Sequence, residues 1–493
     1  MDTANIDTLF LRNRIAEDRG DRVAIRLDDR AITYSEVDSL ASGYALALRE
    51  ADVELGERVL LVLPDGVDFV GALFGVLRLG AVGVMINPGL GSEAITAIVS
   101  SARPGAAVVH DDHISHFRTA AGLGVPVIEV APDQDLPSGE VESYAAQPRD
   151  PALWLFSGGT TGAPKAVVQT HGSFANTTRL YGQGSLELTE EDVTISVPKL
   201  YFGYATGSNL FFPFSVGASC VLFAEHPTPK VLFEKIERHH PTVMVNVPSA
   251  VNQMVSHRDA QTADLSSLRL ATSAGEALPE SLYRRWKDLF GVELLDGLGT
   301  AEMWHIFVTN TPGDVVPGTL GRVVPGFEIK ACDEDGVEVA PGEVGRLWVK
   351  GDSLALGYWE DDQGTKDAFR GDWFVGGDLV SIDESGYVTH RGRVGDAIKV
   401  KGKWFRPQEV ESALLEHPDV AECAVIAVDD AAGLLIPVAF VVLSGTATEQ
   451  DLIDWVLARL EPYKHPRRVY PVDRLPQTHL GKVDRGALRQ MLV

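Results

Sequence analysis

The sequence predicts an α/β protein. A large N-terminal domain of doubly wound, helix-covered sheets carries a β-barrel-like subdomain, and a small α+β domain follows. Three observations predict this. Strand-like and helix-like runs alternate from Arg58 onward, the pattern of parallel sheets covered by helices. Near Thr311 the texture changes to short strands separated by turns rich in Gly, Pro and Asp. After Arg393 helices and strands mix again. The expected domains are therefore 1–393, with the barrel-like part at about 311–392, and 394–493. The turn Gly392-Arg393-Val394-Gly395-Asp396 is the natural joint, with a hinge near Gly395.

Each element has a local reason. Val59 to Leu63 is an unbroken apolar run, as a strand buried on both faces requires, and Pro64-Asp65-Gly66 turns the chain. Phe69 to Leu79 has helical apolar spacing, and Val82 to Ile86 reads as the next strand. Ser92 is placed to cap a helix from Glu93 to Ser101. Strands follow at Ala106 to Val109, Val125 to Val130, Val193 to Val197, Cys220 to Phe223, Thr242 to Val247, Leu268 to Ala271 and Val292 to Leu295. Helices are expected at Phe233 to His239, Ala250 to Ser256 and Pro279 to Phe290. The barrel-like part offers strands at Phe327 to Lys330, Gly345 to Lys350 and Tyr387 to His390. The last domain offers helices at Pro407 to Leu415 and Glu449 to Leu460, and strands at Ala421 to Val428 and Ile436 to Leu443.

Composition narrows the function. A net charge of −26 argues against broad binding to nucleic acid or anionic membranes. Cys220, Cys332 and Cys423 lie far apart with no metal-ligand spacing, which fits buried thiols in a reducing compartment. Met1 to Gly20 has no apolar signal region, and the most apolar stretch, Phe69 to Ile86, is broken by Arg78 and several glycines. A cytoplasmic monomer or homodimer is expected, with no nucleic-acid or membrane partner.

The stretch with most chemistry is Phe156-Ser157-Gly158-Gly159-Thr160-Thr161-Gly162-Ala163-Pro164-Lys165-Ala166. Strand-like runs enter and leave it. Its amides, hydroxyls and lysine suit an anion such as a nucleotide phosphate. It is not a Walker loop, because Lys165 follows Pro164 and precedes a strand. The same small residues also build ordinary turns. Two more loops sit at strand ends: Ser273 to Ala277, and Asp296 to Glu302. Ligands of open α/β sheets gather at such ends. Glu302 suits Mg²⁺ beside phosphates; it equally suits a helix N-terminus with no metal.

Taken together, these motifs resemble the acyl-CoA ligases of the adenylate-forming superfamily, over essentially the whole chain. The resemblance rests on the Phe156 to Ala166 loop, Gly275-Glu276, Gly299 to Glu302, Trp373-Phe374 through Gly377-Asp378, Gly392-Arg393 and Gly481-Lys482, in that order. Pro198 to Tyr204, Thr272 to Pro279 and Asp296 to Phe307 look most like benzoate-type aryl-CoA ligases. The resemblance implies two steps in one site. An acid attacks the α-phosphate of ATP to give an acyl-adenylate and pyrophosphate; the thiol of coenzyme A then displaces AMP. It implies a C-terminal domain that rotates between the steps.

Carried over position by position, Ser157, Gly159, Thr160, Thr161, Gly162 and Lys165 handle ATP phosphates. Gly275, Glu276 and Ala277 line the adenine site with Asp296 and Gly297. Glu302 binds Mg²⁺, Asp378 holds the ribose with Arg393 nearby, Lys482 is the adenylation lysine, and Gly402 shapes the thioesterification site. Tyr201, Phe202, Tyr204, Leu298 and His305 fall in the acyl-pocket region, for an aromatic or bulky cyclic acid. Core packing is the competing reading of these aromatics.

The chain departs from the pattern at Gly158, Ala166, Ala301, Val375, Gly376 and Gly395. Gly158 and Ala301 each lack a hydroxyl. A hydrogen bond to a charged group contributes roughly 1.5–3 kcal/mol, so losing two would slow adenylation by about a hundredfold or more. Ala166 restricts the backbone if positive φ is needed there. These departures raise alternatives to the two-step ligase: an adenylation-impaired member transferring an acyl-adenylate made by a separate adenylating enzyme, a ligand-binding member without catalysis, or an enzyme loading a carrier protein.

Overall fold

The computed structural model describes residues 3–122, 124–132, 134–157, 165–394, 398–400, 403–429, 435–476 and 483–492. Its core is a pair of sheets. The first has seven strands, in the order Gly357–Tyr358, Lys165–Thr170, Pro151–Ser157, Val82–Met85, Arg58–Val62, Ala106–His110 and Val127–Val130. Val82–Met85, Arg58–Val62 and Ala106–His110 run parallel, whereas Pro151–Ser157 and Lys165–Thr170 form an antiparallel hairpin.

Alternation along Arg58–Val62 explains the double winding. Val59 and Leu61 enter a core with Phe69, Val70 and Leu73 of helix Val67–Arg78. Leu60 and Val62 point the other way, to Ile95 and Ile98 of helix Ser92–Ala102 and Phe117 of helix Asp111–Ala121. Successive side chains of a strand face opposite sides, so an unbroken apolar run needs cover on both.

The second sheet has nine strands, in the order Arg322–Val323, Ile306–Thr309, Leu294–Gly299, Leu270–Ser273, Val243–Asn246, Val193–Ser196, Ser219–Val221, Val23–Arg26 and Ala31–Thr33. One face packs on Leu232, Ile236, Val251, Met254 and Trp286 from three helices.

The barrel-like part takes the form of five antiparallel strands, with Trp373–Ile382 between Val344–Lys350 and Val388–Arg393. In the C-terminal part Val420–Asp429, Leu435–Leu443 and Val469–Pro471 make a three-stranded sheet. Helices Pro407–Leu415 and Glu449–Leu457 cover one face, and helix Arg485–Gln490 supplies Leu488 to the other. Asn252 Nδ2 donates to the carbonyl of Ala421, and Gln253 Nε2 donates to Glu422 at 2.8 Å, so the two parts touch.

Several expectations change. Ser92 is the first helical residue and not the cap: Gly91 occupies the N-cap with no side-chain bond. The strand read as Leu268 to Ala271 is Leu270–Ser273, and that read as Val292 to Leu295 extends to Gly299. The longest helix, Tyr34–Glu50, precedes the region where alternation was apparent; Thr33 and Glu36 close it with a capping box. The three cysteines are free thiols. Among the described residues no helix is long and apolar enough to cross a membrane.

Candidate active site

The site lies where strands of both large sheets end. The hairpin of Pro151–Ser157 and Lys165–Thr170 flanks the stretch expected to bind phosphates. Gly158 to Pro164, and so Gly159, Thr160, Thr161 and Gly162, lie outside the described residues, as do Gly395, Gly402 and Lys482. Ser157 is placed as the last strand residue.

Lys165 is the described end of that loop. Its ammonium stands 3.1 Å from Asp361 and 4.6 Å from the ring centre of Tyr358. The Tyr358 hydroxyl donates to Glu302 at 2.8 Å. One tyrosine therefore joins the lysine, over its face, to the carboxylate, at its hydroxyl. Backbone bonds fix the arrangement: Trp359 N donates to Ala166 O at 2.8 Å, Leu356 N to Val168 O at 3.0 Å, and Ala355 N to Glu302 O at 2.9 Å. Gln169, fully buried, donates through Nε2 to Ala301 O at 2.6 Å.

Glu302 is buried, with 6% exposure. Burial raises its carboxyl above the usual range, and the Tyr358 hydroxyl and Arg393 act against that rise. It sits in a short 3₁₀ turn, Ala301–Met303, whose N-cap is Thr300. The next residue is strained. Trp304 has φ 62° and ψ −51°, and His305 N bonds Met303 O at 2.8 Å, which is a γ-turn rare for any L-residue.

Asp378 and Arg393 come together because their strands pair at that position. Arg393 Nε lies 3.5 Å from Asp378 Oδ1, and His390 Nε2 lies 3.1 Å from the same oxygen. Arg393 thus links the carboxylate expected at the ribose to the neighbourhood of Glu302.

The residues expected at the adenine lie on or beside the second sheet. Ser273 and Asp296 are register partners, which brings the Gly275-Glu276-Ala277 loop beside Gly297. Gly275 has φ +90°, a conformation that favours glycine, and Glu276 accepts from Ser249 N at 3.1 Å. At Gly297 a Cβ would stand 2.8 Å from Val308 O, so only glycine fits against that strand. Asp296 is buried, and burial holds its carboxyl well above the ordinary range.

The residues expected in the acyl pocket pack at the edge of the core. Leu298, Tyr201 and Tyr204 pack half-buried on the central core. The Tyr201 and Phe202 rings meet at a tilt of 58°, with centres 4.7 Å apart. The Tyr204 hydroxyl bonds Thr272 Oγ1 at 2.7 Å. His305 lies among Tyr181, Tyr204, Phe212 and Trp304, with Nε2 3.0 Å from Tyr204 O. Burial pushes its pKa down to about 3, so the imidazole is neutral at ordinary pH. Its Nδ1 is buried without a partner among the described residues.

One departure is absorbed locally. Ala166 is not among the residues of positive φ; it pairs with Phe156 and packs in the core, so its methyl meets no backbone strain. Ala301 offers its carbonyl to Gln169. The expectation of a restricted loop at Ala166 is therefore corrected.

Tyr358, Asp361, Gln169 and His390 were not apparent from motifs. A signal existed for one: Asp361, three residues before Gly364, matches an N-cap pattern, and its Oδ1 accepts from Gly364 N at 2.8 Å.

Residues 12–359 match the AMP-binding enzymes, and residues 409–482 match the AMP-binding enzyme C-terminal domain. The chain belongs to the AMP-binding enzyme family. It is 38% identical to the benzoate–CoA ligase of Thauera aromatica, over 98% of this chain and 95% of that protein. Among solved structures of AMP-binding enzymes it is similar to a benzoate CoA ligase from Burkholderia xenovorans LB400, with a TM-score of 0.91, 35% identity, and 98% and 99% of the two chains covered. It is similar also to an anthranilate CoA ligase in complex with anthranoyl-AMP, with a TM-score of 0.92, 34% identity, and 99% and 97% covered.

Proposed function

We propose that this chain joins an aromatic carboxylic acid to coenzyme A through an acyl-adenylate. The observation that carries the reading is a juxtaposition. The rings of Tyr201, Phe202, Tyr204 and His305, with Leu298, adjoin the Ala301–Met303 turn that holds the buried carboxylate Glu302, itself tied through Tyr358 to Lys165. Similarity to benzoate–CoA ligases along nearly the whole chain supports it.

In the first step an acid oxygen forms a bond to the α-phosphorus of ATP, and the bond to pyrophosphate breaks. Charge builds on the phosphoryl oxygens, where fixed cations stabilise it. Lys165 and Lys482 are assigned that role, with Ser157 to Gly162 as phosphate donors. Asp378 accepts from the ribose hydroxyls, positioned by Arg393 and His390. Glu302 fits Mg²⁺: a buried carboxylate whose side-chain partners are the Tyr358 and Thr300 hydroxyls is the kind of single protein ligand that ion takes. When bound, Mg²⁺ would neutralise phosphate charge. In the second step the CoA sulfur attacks the acyl carbon and AMP leaves. We assign Gly402 to the pantetheine path and the segment near Gly395 to the hinge between steps.

The test is a paired assay on one preparation: pyrophosphate release with benzoate, ATP and Mg²⁺, and thioester formation from synthetic benzoyl-adenylate plus CoA. Activity in both is expected. Thioester formation without pyrophosphate release would overturn the two-step reading; no thioester from either would overturn the ligase.

A further inference from the structure

Both sheets contribute to the acyl-side loop, and one buried carboxylate joins them. Asp65 lies in the turn after strand Arg58–Val62 of the first sheet and is 7% exposed. Its Oδ1 accepts the backbone N–H of Leu200 at 2.7 Å. Leu200 belongs to the second sheet's loop, one residue before Tyr201. That loop is otherwise closed on itself: Phe202 N donates to Lys199 O at 2.9 Å, and Thr206 Oγ1 donates to Leu200 O at 2.6 Å. Lys199 turns its ammonium to Phe223 O at 2.6 Å, stands 3.7 Å from the Phe223 ring centre, and supplies the compensating charge near Asp65.

The arrangement is costly. Burial pushes the Asp65 carboxyl up to about 6 and the Lys199 ammonium down to about 8. An apolar turn would avoid that cost. Asp65 does not cap the helix that follows, because Gly66 is its N-cap with no side-chain bond. What the carboxylate does accomplish is to set where Leu200, and with it Tyr201 and Tyr204, sits relative to the first sheet.

We propose that Asp65 is a positioning residue for the acyl side of the site, holding the Lys199 to Tyr204 loop through the Leu200 amide and so setting the affinity for the acid. This rests on the reading that Tyr201 and Tyr204 border the bound acid. The test compares Asp65→Ala, Asp65→Asn and Tyr204→Ala in the full-length protein, with KM measured separately for benzoate and ATP. The expected result for Asp65→Ala is a rise of about tenfold or more in the benzoate KM, the loss of one hydrogen bond to a charged group, with the ATP KM unchanged. Asp65→Asn, which keeps an acceptor oxygen, restores most of the loss. Equal rises in both KM values, or a lowered Tm with neither KM changed, would overturn the proposal and leave Asp65 a structural residue. If Asp65→Ala does not fold, Asp65→Ser, too short to reach the Leu200 amide, decides in its place: a selective rise in the benzoate KM supports positioning, and equal rises or no rise in either KM overturn it. If Tyr204→Ala leaves the benzoate KM unchanged, the acyl-pocket reading itself fails.

Discussion

Asp361→Asn isolates one charge at the phosphate end of the site. The asparagine keeps the N-cap bond to Gly364, since Asn caps helices about as well as Asp. It removes the charge that faces Lys165 at 3.1 Å. Both side chains are partly exposed, 33% and 40%, so the pair belongs with surface ion pairs, which contribute roughly 0.2–1 kcal/mol. On the role proposed for Lys165, ATP phosphates compete with Asp361 for the same ammonium. Removing the competitor should therefore tighten ATP binding by about 1.4- to 5-fold at low salt. The assay is calorimetric titration of ATP without acid. At 1 M salt, where the Debye length is about 3 Å, the advantage should nearly vanish. A weaker ATP Kd in the variant at low salt would refute the reasoning, because Asp361 would then be holding Lys165 in its productive place. An unchanged Kd would mean that Lys165 does not meet the phosphates.

Three further outcomes follow from burial. Asp7→Ala leaves Arg78 fully buried with only Asp38 as a charged partner, and should cost about 3 kcal/mol or more in denaturant unfolding. Gln169→Leu strands Ala301 O, while the Ser173 hydroxyl keeps Thr170 O as its acceptor, and should lower unfolding free energy by about 1–3 kcal/mol in the same assay. His171 is buried, accepts from Ile6 N through Nδ1, and has its pKa lowered by burial to about 4. A lowered folded pKa favours the neutral ring, so its contribution is full above the unfolded value of 6.5 and is lost as pH falls toward 4. The loss amounts to about 3 kcal/mol, and His171→Asn should flatten stability across that window.

The strand–helix alternation was readable because it is local: a buried strand declares itself in five consecutive apolar residues, as at Val59 to Leu63. The turns at Gly275 and Asp296 to Glu302 were readable for a related reason, since small residues and carboxylates at strand ends form short contiguous motifs. Ser92 misled because a hydroxyl before an apolar run fits both a cap and a first helical position. At Ala166 composition alone left open the backbone angle, which the strand pairing decided.

The sequence by itself determined the parts: an α/β architecture with a small C-terminal domain, and carboxylates at Asp296, Glu302 and Asp378 in motif order. Tertiary structure alone decided how they are joined. Tyr358 reaches Glu302 across 56 residues, and Asp65 reaches Leu200 across 135. Such bonds depend on sheet order and side-chain direction, which chain-local patterns do not encode. The phosphate hairpin, the Glu302 turn and the Tyr358 strand meet because Gly357–Tyr358 pairs with Lys165–Thr170 at the sheet edge, a long-range hydrogen-bonded register that the residues on either strand do not announce.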